Sequence, residues 1–74
     1  MKKSEIRKKI GAELRRIRKE KRVTQEQLSD MTGIGRTAIT KYELGTIEIG
    51  ISHYIAICDA LGVDYKKVFE DIEI

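Results

Sequence analysis

The chain is 74 residues long, with no Pro, no Trp, one Cys, 41% hydrophobic and 36% charged residues, and a net charge of +3. That length makes one small domain, near the size at which a single core is only just sufficient, and the lone Cys58 rules out an internal disulfide and argues against a cysteine metal site. No run of about 18 apolar residues offers a membrane span, and no apolar segment follows the basic N-terminus as a signal peptide requires, so a cytoplasmic protein is expected.

The charge is unevenly placed. Residues 1–22 carry eleven Lys and Arg against three Glu, a net of +8, whereas residues 23–74 carry four against nine acids, a net of −5. A basic first third is an electrostatic footprint for a polyanion, although a solvated helix face gives the same composition. Residues 1–5 read as a basic arm from which Lys2 and Lys3, with Arg7 just beyond, reach a phosphate backbone. Ile6, Ile10, Leu14 and Ile17 then form one apolar stripe, which predicts a first helix from about Ser4, its N-cap, to Lys21. Its opposite face is cationic, through Arg7, Lys8, Arg15, Arg16, Arg18 and Lys19, with Glu13 and Glu20 mixed in. A membrane-surface helix would also be basic and amphipathic, but this stripe is narrow and lacks aromatics.

Thr24 and Gln27 have the spacing of a capping box, and Val23 and Leu28 that of a hydrophobic staple. They open a second helix, from about Gln25 to Thr32. Gly33 follows as the turn residue, and a third helix is expected from Arg36 to Leu44, with Gly35 before it and Gly45 ending it. Two short helices joined by a tight Gly-containing turn describe a helix-turn-helix over residues 24–45, although an ordinary helical hairpin has the same spacing. On a wheel of 100° per residue, Ile39 and Tyr42 of the third helix lie to one side and Thr37, Thr40, Lys41 and Leu44 roughly opposite. Arg36 sits in the exposed first turn. Arg and Lys donate to guanine O6 and N7, and Thr bonds a base edge or touches a thymine methyl, so this face has the chemistry of a base reader.

Thr46 to Gly50 reads as loop despite its alternating pattern. Ile51, Tyr54, Ile57, Cys58 and Leu61 give a broad stripe on a fourth helix ended by Gly62, with His53 a surface residue near its start and Cys58 a small core residue. Asp64 caps a last helix running through about Asp71, and residues 70–74 form a tail. Tyr54, Tyr65 and Phe69 are spaced for helix packing rather than base stacking. More isoleucines remain than the core requires, which assigns Ile49, Ile55, Phe69, Ile72 and Ile74 to a twofold dimer contact.

Gly11, Leu14, Ile17 and Arg18, then Thr24-Gln25-x-x-Leu28, Gly33, Ile39, Glu43 and Gly45, and finally Leu61-Gly62-Val63 with Val68-Phe69 resemble the Cro/repressor (XRE-type) helix-turn-helix family from Ile10 to Phe69. The resemblance implies an all-α, five-helix, lambda-repressor-like domain that binds operator DNA, usually as a homodimer. It makes Arg36, Thr37, Thr40 and Lys41 the base readers, and brings Thr24 and Gln25 to phosphate, with Gln25 able to reach a base instead. It also pairs Glu43 with Arg18 as a structural strut. The loop departs from the family pattern, which usually has basic residues here and a Pro at the place of Ile49. Glu48 would repel a nearby phosphate, which leaves Thr46 as the loop's remaining donor. The size, the Arg36-Thr37 pair and the Pro-free loop resemble restriction-modification controller proteins, and phage repressors nearly as well. The expectation is a single-domain regulator of double-stranded DNA, without cofactor, metal or small-molecule ligand, controlled by its concentration, its operators or a partner protein. The competing reading is a protein-interaction module, antitoxin-like or an anti-regulator, on the same scaffold. With one His, one Cys and no phosphate-cradling Gly-rich loop, nothing points to an enzyme.

Overall fold

The computed structural model describes residues 1–72 and consists there of five helices: α1 (Lys3–Glu20), α2 (Gln25–Thr32), α3 (Arg36–Leu44), α4 (Ile51–Leu61) and α5 (Tyr65–Asp71). Their apolar faces meet in one core built on Leu14, Ile17, Leu28, Ile34, Ile39, Tyr42, Tyr54, Ile57, Cys58, Leu61, Val68 and Ile72. Full burial of each of the larger side chains contributes on the order of 1.5–3 kcal/mol, so a chain of this size depends on nearly every one of them.

The α1 stripe runs as the spacing requires, but the helix starts one residue earlier than expected. Lys2 occupies the N-cap position without a side-chain bond, and its carbonyl accepts from the amides of Glu5 and Ile6. Ser4 is therefore inside the first turn and caps nothing, and the arm shrinks to the two residues before Lys3. Nothing in residues 3–5 interrupts a helix, and Glu5 in the first turn suits the positive end of the dipole.

Two glycines set how α1 meets α3. A Cβ on Gly11 would lie against the backbone carbonyl of Tyr42 and 2.7 Å from that of Glu43, so α3 approaches α1 more closely than any side chain permits. Gly45, at φ 72°, both takes the left-handed conformation that ends α3 and lies flat on Lys8, whose Cα would be 2.6 Å from an added Cβ. The end of α1 uses a different residue for the same geometry. The Arg22 amide donates to the Lys19 carbonyl and the Val23 amide to that of Arg18, the Schellman pattern, with Arg22 at φ 59° where α3 and α4 have Gly45 and Gly62.

The second half corrects several sequence expectations. Ile72 is a core residue, 8% exposed, because it lies one helical turn beyond the buried Val68, to whose carbonyl its amide donates as α5 ends. Ile49 is half-buried against the same core. Both therefore have intramolecular partners; Ile72 keeps almost no surface for the dimer contact assigned to it, while Ile49 keeps part of its own. Ile51 moves the other way: it shares Cys58's angular position, yet as the first residue of α4 it lies beyond the end of the core and is 65% exposed. Ile55 and Phe69 remain largely exposed, and Ile74 falls outside the described residues. Tyr54 is buried, stacks on Phe69 with ring centroids 5.0 Å apart, and donates its hydroxyl to the Tyr65 carbonyl at 2.6 Å. Cys58 is buried, and that burial pushes its thiol pKa up. No helix among the described residues is long and apolar enough to cross a membrane.

Candidate nucleic-acid interface

The helix-turn-helix is assembled from local bonds that the sequence specifies closely. Thr24 Oγ1 accepts from the Gln27 amide at 3.0 Å while Gln27 Oε1 accepts from the Thr24 amide at 2.9 Å, completing the capping box. Gly33, at φ 76°, turns the chain. Hydroxyls brace the turn: Ser29 donates to the Ile34 carbonyl at 2.6 Å, and Thr32 donates to the Leu28 carbonyl at 2.7 Å while accepting from the Ile34 amide at 3.2 Å. Composition hides these braces, because Ser and Thr in short helices read simply as polar.

Behind this unit lies the ion pair. Arg18 Nε and Nη2 donate to the two carboxylate oxygens of Glu43 at 2.7 and 3.0 Å, and Arg18 Nη1 donates to the Val23 carbonyl at 2.8 Å. Both residues are 8% exposed. Gln25 joins them, its Nε2 donating to Glu43 Oε1 at 3.1 Å and its Oε1 accepting from the Thr40 hydroxyl at 2.9 Å. One continuous set of bonds therefore runs from α1 through α3 and α2 to the outward side of α3.

The α3 residues divide as the wheel requires. Ile39, Tyr42 and Glu43 are buried, while Arg36, Thr37, Lys41 and Leu44 are exposed and Thr40 is half-buried at the boundary. No side chain caps the start of α3, so its first-turn amides are open alongside Arg36. Tyr42 has a partner that helical spacing does not reveal, since its hydroxyl lies 2.7 Å from His53 Nδ1 on α4. His53 is thus half-buried and engaged rather than a plain surface residue.

The expected phosphate contacts fare unevenly. Thr24 uses its hydroxyl oxygen in the cap and keeps its proton for an outside acceptor. Gln25 has committed one N–H to Glu43 and retains the other. Lys2 and Lys3 are exposed at the start of α1. Arg7 lies within α1 rather than on an arm, and its Nη1 donates to Glu48 at 3.4 Å while its Nε is buried without a partner. Thr46 directs both its amide (3.0 Å) and its hydroxyl (3.3 Å) at the Lys41 carbonyl, filling a terminal acceptor of α3 and leaving it no free donor. On the other side of α1, Arg16 is clasped by Glu13 at 2.9 Å and Glu20 at 2.7 Å, and the Arg16 bond holds the Glu13 carboxyl below its usual range.

The helix-turn-helix family profile matches residues 14–68. The chain belongs to the XRE-type helix-turn-helix family of DNA-binding transcription regulators. It is not an enzyme family. An uncharacterized HTH-type transcriptional regulator of Bacillus subtilis (strain 168), YqaE, is 40% identical over 67 residues, covering 78% of this chain and 58% of the relative, so the chain spans little more than half of that protein. Among solved structures, the clp gene regulator ClgR from C. glutamicum superposes with a TM-score of 0.82 at 28% identity, over 86% of this chain and 83% of that one. The restriction-modification controller protein C.AhdI from Aeromonas hydrophila gives 0.80 at 26% identity, over 84% and 94%.

Proposed function

We propose that this helix-turn-helix protein is a sequence-specific regulator of transcription that binds a pseudopalindromic operator in double-stranded DNA as a homodimer. The observation that carries the reading is the division of α3: one face is fixed to the core and to the Arg18–Glu43 pair, and the other presents Arg36, Thr37, Thr40 and Lys41 outward. Placed in a major groove, that face reads base edges, while Thr24, the second N–H of Gln25, the open amides of α3 and the lysines that begin α1 hold phosphates. Thr46 does not act as a phosphate donor without first giving up its Lys41 carbonyl, and Arg7 shares its charge with Glu48.

The dimer contact in this reading lies on α4 and α5, where Ile55, Tyr65 and Phe69 are 39%, 38% and 43% exposed. A shallow apolar depression of about 510 Å³ lined by Ser52, Ile55, Cys58, Val63 and Tyr65 adjoins them. Half-sites then lie one helical turn apart, about 34 Å. In this reading the protein acts on DNA in the cytoplasm.

Selection from randomised duplexes at moderate salt tests the proposal. The expected product is a palindrome that Arg36→Ala or Lys41→Ala relaxes at one base position each, at a cost of about 1–3 kcal/mol. No enrichment, or binding that neither substitution changes, would refute it. Sedimentation tests the dimer separately. A monomer mass that persists to tens of micromolar would give the α4–α5 face to a different protein instead, as in an antitoxin-like or anti-regulator module.

A further inference from the structure

The hydroxyl of Thr40 has one proton, and the protein has already taken it. Thr40 Oγ1 donates to Gln25 Oε1 at 2.9 Å and toward the Arg36 carbonyl at 3.1 Å, both acceptors within the domain. The orientation of the Gln25 amide follows from chemistry. Its other end faces Glu43 Oε1 at 3.1 Å, and Glu43 is in a two-bond ion pair with Arg18. A carboxylate in such a pair only accepts, so the NH₂ of Gln25 must face it and the amide oxygen must face Thr40. The ion pair is 9% and 5% exposed at its side chains and therefore well held, and it fixes the amide, which in turn fixes the hydroxyl. What remains on the outward side of Thr40 is oxygen lone pairs and a methyl group.

We propose that Thr40 is a specificity-determining residue that reads DNA solely as a hydrogen-bond acceptor, with Gln25 as the positioning residue that makes it so. In the major groove only the exocyclic amines, N6 of adenine and N4 of cytosine, donate, whereas guanine N7 and O6 and thymine O4 accept. Thr40 therefore selects a base amine on the strand it faces and gains nothing from guanine or thymine there, apart from methyl contact with thymine. A free Thr would tolerate either kind of edge. The inference rests on the DNA-reading proposal and adds a chemical sign to one of its contacts.

The test begins with selected sequences for the wild type and for Thr40→Val, which keeps the shape and removes the hydroxyl. The position whose preference changes is the one Thr40 faces, and Thr40→Ser should retain its hydrogen-bonding preference. At that position the base amine is then deleted, with purine in place of adenine or 2-pyrimidinone in place of cytosine. Wild-type affinity should fall about 3- to 10-fold more than that of Thr40→Val, the size of one net hydrogen bond. Base-pair weakening affects both proteins alike and cancels in that comparison. Gln25→Ala should reduce the amine effect at that position, on top of the even loss expected from its phosphate contact. Equal losses in wild type and Thr40→Val, or a Thr40-dependent loss on deleting purine N7 with 7-deaza bases, would overturn the inference while leaving sequence-specific binding intact. An amine effect left unchanged in Gln25→Ala, whatever even loss accompanies it, would overturn the role given to Gln25. Failure of the wild type to select any sequence would overturn both the inference and the DNA-reading proposal on which it rests.

Discussion

Glu43→Ala should cost the domain about 3–5 kcal/mol, and the reason lies in what it leaves behind. Arg18 would keep one partner, the Val23 carbonyl at 2.8 Å, and lose both carboxylate bonds, with its guanidinium still enclosed. Gln25 would lose the acceptor for its NH₂ as well. At 74 residues the whole domain is worth roughly 4–11 kcal/mol, so this one change takes about a quarter of it or more. The pair as a whole is a different matter. Because both ions are taken out of water, replacing them together by apolar side chains of similar volume is expected to be close to neutral, within about 1 kcal/mol, or to stabilise. Urea denaturation followed by helical circular dichroism on Glu43→Ala, Arg18→Met and the double variant Arg18→Met/Glu43→Leu measures this. A Glu43→Ala variant within about 1 kcal/mol of wild type would refute the argument, as would a double variant no more stable than the worse single one.

Further perturbations follow from single contacts. Gly11→Ala drives a methyl into the Tyr42 and Glu43 carbonyls, which are backbone and cannot rotate away; a loss of about 3 kcal/mol or failure to fold is expected in the same denaturation experiment. Arg22→Gly relieves a left-handed non-glycine residue at an exposed turn and should stabilise by about 1 kcal/mol, read as a higher urea midpoint at unchanged slope. Burial raises the thiol pKa of Cys58, so above the ordinary value of 9.0 the unfolded chain ionises while the folded one keeps its proton. That contribution is complete below the unfolded pKa and is lost as pH rises through the folded one, so the melting temperature should fall more steeply above about pH 9 in wild type than in Cys58→Ala. Tyr54, also raised by burial, accounts for a residual fall in both. Glu48→Gln uncouples the exposed carboxylate from Arg7, and if Arg7 then reaches a phosphate, the salt dependence of operator binding steepens by about 0.9 in log–log slope per subunit. An unchanged slope would place Arg7 away from the DNA.

What the sequence makes legible is local. The capping box at Thr24 and Gln27, the turn at Gly33 and the end of α3 at Gly45 depend on bonds spanning a few residues, and each forms as its spacing implies. Periodicity also gives directions around a helix, which is why Ile39 and Tyr42 face inward and Lys41 outward. It gives no depth along the axis. Ile51 and Cys58 point the same way, yet the core ends between them, whereas Ile72, one turn past Val68, still lies within it just after α5 ends. The turn at Arg22 is hidden for another reason: its conformation is set by the Schellman bonds around it, and an Arg there gives no composition signal. Arg7 with Glu48, Gln25 with Thr40 and Tyr42 with His53 join different helices or a helix and a loop. Such pairs depend on how elements pack, which no local pattern encodes. Arg18 with Glu43 is equally long-range and was expected only through family resemblance.

The packing of α3 ties stability to recognition. A nine-residue helix is marginal alone, so its placement must come from its neighbours. Three anchors hold it to α1: the close approach at Gly11, the Arg18–Glu43 pair, and Gly45 lying on Lys8. These bear on the helix as a body. Loosening any of them displaces Arg36, Thr37, Thr40 and Lys41 together, so affinity should fall at every base position at once. Replacing one of those four readers leaves the helix where it is and should alter one position. The two patterns separate scaffold from reader even where the total loss of affinity is equal. Gln25 belongs to neither group. It touches the scaffold through Glu43 and a reader through Thr40, so its replacement should leave the other readers in place and change how one of them is protonated toward the groove.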